Sequence, residues 1–259
     1  MAKPIWRLLL SPAAGGAENM ALDEALMSRA RETGEFTLRV YSWASPTLSL
    51  GRNQSARRVY DMDRIRARGL RVVRRPTGGR AILHHREITY SVTAPALDAG
   101  DLRQSYDRIN RVLVAGLHRL GVRTEIAAPT GRAAPPGPAP CFDAPSAGEL
   151  VVDGKKLAGS AQWRSDGAVL QHGSILVHDD QSSLADLTTV PQRPVPPPAT
   201  LADALGHAPT PREVADALGS AVRELEDPSA AELSVEAETR ARADALVVQY
   251  EDDAWTWRR

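Results

Sequence analysis

The chain contains one cysteine, Cys141, in the run Cys141-Phe142-Asp143-Ala144-Pro145-Ser146. A free thiol has a pKa of about 8.5 and becomes a useful nucleophile when a nearby cation lowers it. The same residue type is also a common small core residue, and one cysteine leaves the two readings level. A lone cysteine excludes an internal disulfide and a thiolate metal cage. Of the 32 lysines and arginines only Lys3, Lys155 and Lys156 are lysines. In a chain that otherwise uses arginine, two adjacent lysines suggest a site where a compact charge on a flexible stem is needed.

Four further constellations could carry chemistry. In Arg74-Arg75-Pro76-Thr77-Gly78-Gly79-Arg80-Ala81-Ile82-Leu83-His84, two glycines fall in a strand-to-strand turn. Glycines there permit positive φ and close approach of a ligand, and free N–H groups can hold an anion or a carbonyl oxygen; a plain hairpin turn would look the same. The spacing is not that of a P-loop, and neither is that of Gly148 to Lys155. In Lys155-Lys156-Leu157-Ala158-Gly159-Ser160, strand alternation sends one lysine to each face, and the small residues Gly159 and Ser160 leave room for a ligand. Gln171-His172-Gly173-Ser174 offers a base, an anchor or a satisfied core histidine, and of the adjacent His84 and His85 at most one faces a site. No metal-ligand spacing is present, so no metal is expected. Finally, from Arg52 to Arg80 ten arginines accompany only Asp61 and Asp63, a basic stretch that suits an acidic partner or a set of solvated faces.

These residues need a scaffold. At 259 residues, 42% hydrophobic and 25% charged, one globular domain spanning 1–259 is the better expectation. A net charge of zero gives no global field for nucleic acid. No apolar run reaches the ~18 residues that span a bilayer, and the apolar stretch Leu8 to Leu10 is too short for a signal peptide, so no membrane association and a cytoplasmic location are expected. Helices are predicted over Ala17–Ala30, with Leu22, Leu26 and Ala30 as the stripe, over Asp61–Arg68, and over Ser105–Leu120, ended by Gly121. Strands are predicted over Thr37–Trp43, Thr47–Leu50, Leu70–Arg75, Ala81–His84, Glu87–Thr93 and Ala168–Val177. Asp153-Gly154 should join Glu149–Val152 and Lys155–Arg164 in a hairpin. Pro129 to Pro140 reads as a mobile loop leading to Cys141. Thr210-Pro211-Arg212-Glu213 is a capping box opening a helix to about Leu225, and a last helix runs from Ser234 to Tyr250. The order is α+β, with strands joined mostly by hairpins and residues 199–259 forming a helical segment on the sheet.

Taken together, the segments Asn19–Glu24, Leu50–Gln54, Arg74–His84, Glu87–Ser91, Lys155–Gln162 and Leu170–Ile175 resemble the biotin/lipoate protein ligase superfamily. Within it the chain is most similar to the cysteine-dependent octanoyltransferases of the LipM type. The resemblance implies an α+β catalytic domain with a mixed, mainly antiparallel sheet flanked by helices. It implies transfer of an octanoyl group from octanoyl-acyl carrier protein to a lysine of a lipoyl-carrier protein, such as the glycine cleavage H protein or a dehydrogenase E2 domain, with no cofactor. Cys141 matches the acyl-accepting cysteine and Lys156 the active-site lysine. Arg75, Gly78, Gly79, Arg80, His84, Gly159, Ser160 and His172 match the substrate-binding positions, with His172 or His84 as the base. An ATP-dependent lipoate ligase and an octanoyl amidotransferase on the same fold are the rival activities.

Overall fold

The computed structural model describes residues 4–96, 101–128, 142, 148–189, 192 and 196–259. Elements follow one another as β1 (Trp6–Leu10), α1 (Gly16–Thr33), β2 (Phe36–Tyr41), β3 (Thr47–Leu50), α2 (Met62–Ala67), β4 (Arg71–Arg74), β5 (Ile82–His84), β6 (Glu87–Pro95) and α3 (Leu102–Leu120). The second half adds β7 (Glu125–Ile126), β8 (Leu150–Val152), β9 (Lys155–Ser165), β10 (Ala168–Leu176), a 3-10 turn over Gln181–Leu187, α4 (Leu201–Leu205), α5 (Pro211–Leu225), β11 (Ala231–Glu232), α6 (Ala237–Glu251) and α7 (Asp253–Thr256).

Eight strands form one mixed, mainly antiparallel sheet in the order β11-β1-β2-β6-β10-β9-β8-β7, and β4-β3-β5 form a second, small sheet. The alternation of β2 and β6 decides which helices cover which face. Phe36, Leu38 and Val40 join Ile88, Tyr90 and Val92 in the largest apolar cluster, together with Ile109, Leu113 and Leu117 of α3 and Leu218 and Val222 of α5. The intervening residues Thr37, Arg39, Tyr41, Thr89, Ser91 and Thr93 are polar-bearing yet buried. They lie on the opposite face, where Ser91 and Arg39 bond to α1. A buried polar group must find partners or lose about 1–3 kcal/mol when orphaned; α1 supplies them to Arg39, Tyr41 and Ser91, while the Thr37 and Thr93 hydroxyls have none among the described residues.

Several local predictions hold because their signals are short-range. Gly121 ends α3 in the left-handed region at φ +99°. Asp153 and Gly154 both take positive φ, +49° and +72°, as a two-residue hairpin turn between β8 and β9 requires. The Thr210 side chain accepts from Glu213 N while the Glu213 carboxylate accepts from Thr210 N, closing the capping box that opens α5.

Other expectations are corrected. The turn between β4 and β5 is not a hairpin, because β3 lies between them, parallel to β4 and antiparallel to β5. Hairpins are correspondingly fewer than expected, and β1 pairs in parallel with both β2 and β11. On α1, Leu22 is only half-buried while Asn19 and Asp23 are fully buried. Leu26 and Ala30 of the predicted stripe are fully buried, and they share the covered face of α1 with the polar Asn19 and Asp23. The stretch from Arg52 to Arg80 is not a uniform basic surface either. Arg74 is fully buried and donates to the carbonyls of Gly51, Gln54 and Thr256, and Arg64 and Arg68 reach carbonyls of the 3-10 turn. These guanidiniums tie loops together, satisfying carbonyls that have no ladder partner. The loop expected over Pro129 to Pro140 lies outside the described residues.

At the C-terminal end, α5 crosses α3 where Gly116 allows close approach: a Cβ there would come within 2.5 Å of Leu218. Helix α6 packs along α1, and Tyr250 Oη donates to Glu24 Oε2 at 2.5 Å. Among the described residues no helix is long and apolar enough to cross a membrane.

Candidate active site

A cleft of about 830 Å³ opens where β8 stops pairing with β9 at Ala158. Its walls come from α1 (Met20), the end of β2 (Tyr41, Trp43), the β4–β5 loop (Arg75, Gly79, Arg80), β5 (Ile82, His84), the first turns of α3 (Leu102, Arg103, Tyr106, Asp107), β9 (Gly159 to Gln162) and β10 (His172 to Ser174). The structure therefore brings Arg75, Gly79, Arg80, His84, Gly159, Ser160 and His172 to one cavity from four segments: the β4–β5 loop, β5, β9 and β10.

The β4–β5 loop is shaped by Arg75. Its guanidinium donates to the carbonyls of Gly78 (2.8 Å), Arg80 (2.7 Å) and Ser49 (3.0 Å). This fixes a tight turn in which Gly79 takes φ +96°. Gly51 sits against it so closely that a Cβ would fall 2.0 Å from the Gly79 oxygen. With its carbonyls gathered on Arg75, the loop leaves the Gly78 and Gly79 amides without a described acceptor.

Two histidines of the cleft are each backed by a buried carboxylate, and the two pairs differ. His172 has both ring nitrogens engaged: Nε2 with Thr77 Oγ1 at 2.6 Å and Nδ1 with Asp23 Oδ2 at 3.3 Å. Asp23 also accepts from Arg39 Nη1 (2.8 Å), Tyr41 Oη (2.9 Å) and Ser91 Oγ (2.7 Å). Burial opposes its charge, but Arg39 and the bonds from His172 and Ser91 outweigh burial and hold the carboxyl below its ordinary value. His84 instead has, among the described residues, one engaged nitrogen, Nδ1, at 3.2 Å from Glu87 Oε1. Its ring is stacked on Trp43 at 3.9 Å and 11°. Trp43 Nε1 donates to Thr89 Oγ1, which donates to Glu87, as does Ser174 Oγ at 2.6 Å. Burial lowers the His84 pKa, and the Glu87 bond opposes that in part.

Lys156 is buried, whereas Lys155 is exposed, as strand alternation requires. The Lys156 ammonium donates to Glu149 Oε1 at 2.7 Å and lies 4.7 Å from the centroid of the Phe142 ring. Glu149, rather than Lys156, contributes to the cleft wall. Phe142 packs with Ile82 and Leu176 at the cleft's edge. Cys141 lies outside the described residues. Ser160 Oγ is 2.6 Å from Tyr90 Oη, itself the acceptor of Gln171 Nε2.

Sequence reasoning missed Asp23, Trp43, Thr77, Glu87 and Glu149 as site residues. Asp23 carried one usable signal, an acid three residues from Met20 and four from Met27 on a helix of small residues. The others acquire meaning only from strand pairing. Among the described residues no group of three or more metal-ligating side chains is found.

The cleft is lined mainly by apolar surface, with charged and hydroxyl groups set among it and a tight glycine-bearing loop at one side. The chain belongs to the lipoyl protein ligase A/B catalytic domain family, which residues 16–223 match. It is 40% identical to Octanoyltransferase LipM of Kyrpidia tusciae, a match covering 98% of this chain and 99% of that one. Octanoyltransferase LipM of Exiguobacterium sp. is likewise 40% identical, over 98% of each. In fold, the chain matches the bi-partite lipoate protein ligase of Thermoplasma acidophilum with a TM-score of 0.77 at 23% identity, covering 98% of this chain and 96% of that structure.

Proposed function

We propose that this protein is an octanoyltransferase of protein lipoylation that carries the acyl group as a thioester on Cys141. The observation that carries the reading is 40% identity to relatives of that name along nearly the whole chain. The donor is octanoyl-acyl carrier protein and the acceptor a lysine of a lipoyl-carrier protein.

The chemistry suits the residues. A donor thioester exchanges with the Cys141 thiolate at nearly equal energy, releasing the donor thiol. The acceptor amine then attacks, forming an amide and returning the thiolate, so one hard step becomes two easier ones and no nucleotide is consumed. Phe142, next to Cys141 in the chain, lies under the Lys156 ammonium, which supports a role for that cation in lowering the thiol pKa. Lys156 would also hold the acyl carbonyl once it leaves Glu149, and the amides of the Gly78-Gly79 loop, whose Gly79 lines the cleft, would assist the oxyanion. Arg75 acts by holding that loop, Gly159 and Ser160 leave room along β9, and Arg80 stands at the cleft wall as a charge for an acidic carrier.

The test is intact mass after incubation with octanoyl-acyl carrier protein and no ATP. An octanoyl adduct on the wild type that is absent from Cys141→Ser supports the reading. A strict requirement for ATP, or full activity of Cys141→Ser, overturns it in favour of a ligase.

A further inference from the structure

Several arginines between Arg52 and Arg80 are spent on carbonyls of the fold. Arg52, Arg57 and Arg58 form a different group, because residues 256–259 come back to meet them. The amides of Ala56 and Arg57 donate to the Arg259 carbonyl, and Arg258 Nη2 donates to the Arg52 carbonyl at 2.7 Å. Five guanidiniums, those of Arg52, Arg57, Arg58, Arg258 and Arg259, thereby gather on one side of the molecule. Among the described residues none of the five has a carboxylate at ion-pairing distance, and Asp61 and Asp252, near them in sequence, cap α2 and α7 instead. Resting on the transferase reading above, we propose that this surface docks the acidic body of the acyl carrier protein that delivers the octanoyl thioester.

The cluster repels itself. Arg74, buried between the two segments and donating to carbonyls of both, has its pKa pulled down to about 10, first by burial and then by Arg258, Arg259 and Arg75. Burial, Arg52 and Arg259 lower Arg258 in the same way. A partner of opposite charge relieves that repulsion, and complementary charge steers its approach. The heads are also held in place. Arg258 stacks on Trp255 at 3.8 Å, Arg52 lies 5.0 Å over Trp163 of β9, and Arg57 Nε donates to the Trp257 carbonyl. Side chains fixed beforehand lose less freedom when a partner arrives.

Position selects the donor over the acceptor. None of the five arginines lines the cleft. They stand one loop away from it: Arg52 N donates to the Thr77 carbonyl at 2.7 Å, and Gly51 abuts Gly79, which does line the cleft. An acceptor lysine reaches no further than its own side chain, so its protein must sit over the cleft mouth. An acyl carrier protein presents its thioester on a long prosthetic arm, so its body can rest to the side while the arm crosses the β4–β5 loop.

The experiment measures the rate of enzyme octanoylation by intact mass with two donors, octanoyl-acyl carrier protein and the carrier-free thioester octanoyl-pantetheine. For Arg57→Glu/Arg58→Glu the second-order rate constant with the carrier donor should fall roughly 10-fold or more. With octanoyl-pantetheine it should stay at the wild-type value, which also shows that the variant is folded. Arg58→Glu alone, at a side chain without a partner among the described residues, should show the same selectivity at smaller size. Arg57→Lys/Arg58→Lys keeps both charges and should react like the wild type. Added KCl should slow the carrier-dependent rate in the wild type more than in the Glu variant. An equal loss with both donors in Arg58→Glu, an equal loss in the Lys variant, or no loss with the carrier donor overturns the docking surface. Discharge to a lipoyl-carrier domain that slows while octanoylation does not would give the surface to the acceptor. Salt-sensitive binding of a single-stranded oligonucleotide, lost in the Glu variant with octanoylation unchanged, would give it to nucleic acid. Either result also overturns the proposal. Absence of any wild-type adduct sinks the transferase reading instead, so the two failures are distinguishable.

Discussion

Lys156 and Glu149 form a buried ion pair, Nζ to Oε1 at 2.7 Å, with the carboxylate on the cleft wall and the ammonium over Phe142. The two residues are seven apart in sequence and meet because β8 and β9 fold back through the Asp153-Gly154 turn. A charge pair taken out of water depends on its partner, and removing one side strips the other of the opposite charge 2.7 Å away.

Lys156→Met should therefore cost about 3–5 kcal/mol of stability by urea denaturation and abolish octanoyl transfer. Adding Glu149→Leu should restore most of the stability by removing the stranded charge. Transfer should stay lost, because the double variant still lacks the cation. Recovery of activity in the double variant would show that Lys156 serves folding alone.

Asp23 makes a stability prediction with a pH sign. Its folded pKa lies below the ordinary 3.8, so its contribution is fully present above that value and is lost as pH falls through the lower folded value. Asp23→Asn strands the Arg39 guanidinium, which is 1% exposed, and should cost about 3–5 kcal/mol at pH 7. The variant's stability should also fall less steeply than the wild type's in the acid range. Urea midpoints from pH 7 down to pH 3 test both effects, and parallel curves would refute the linkage.

Gly51→Ala tests the loop. Its Cβ would meet the Gly79 oxygen at 2.0 Å, a backbone atom that cannot rotate away. The β4–β5 loop must shift, at about 1–3 kcal/mol, and transfer should fall at least ~10-fold because placement of the loop amides is what the cleft depends on. A variant with wild-type melting temperature and rate would remove the loop from the site.

Thr77→Val tests the His172 contact. It deletes the 2.6 Å bond to His172 Nε2 and leaves that nitrogen buried without a partner, at about 1–3 kcal/mol. Urea denaturation at pH 7 checks the cost, and a wild-type midpoint would refute a stabilising role for this bond.

The sequence by itself determined what depends on a few neighbouring residues. Gly121 and the Thr210 capping box set helix ends, Asp153-Gly154 sets a hairpin, and alternation sends Lys156 inward and Lys155 outward. Each is a local backbone or packing preference that survives whatever surrounds it. The family motifs likewise marked the segments that line the cleft. Only the tertiary structure decided strand order and the partners of buried polar groups. Insertion of β3 between β4 and β5 turned an apparent hairpin into a crossover. Covering the polar sheet face with α1 buried Asn19 and Asp23 alongside Leu26 and Ala30 and left Leu22 half-buried. Register across β6 and β10 set Ser174 opposite Thr89, so that both side chains reach Glu87. His84 meets Glu87 three residues on, but His172 takes Thr77 and Asp23 as partners from 95 and 149 residues away. Such partners lie up to 149 residues apart. No local preference encodes them, because their energy exists only once the strands have paired.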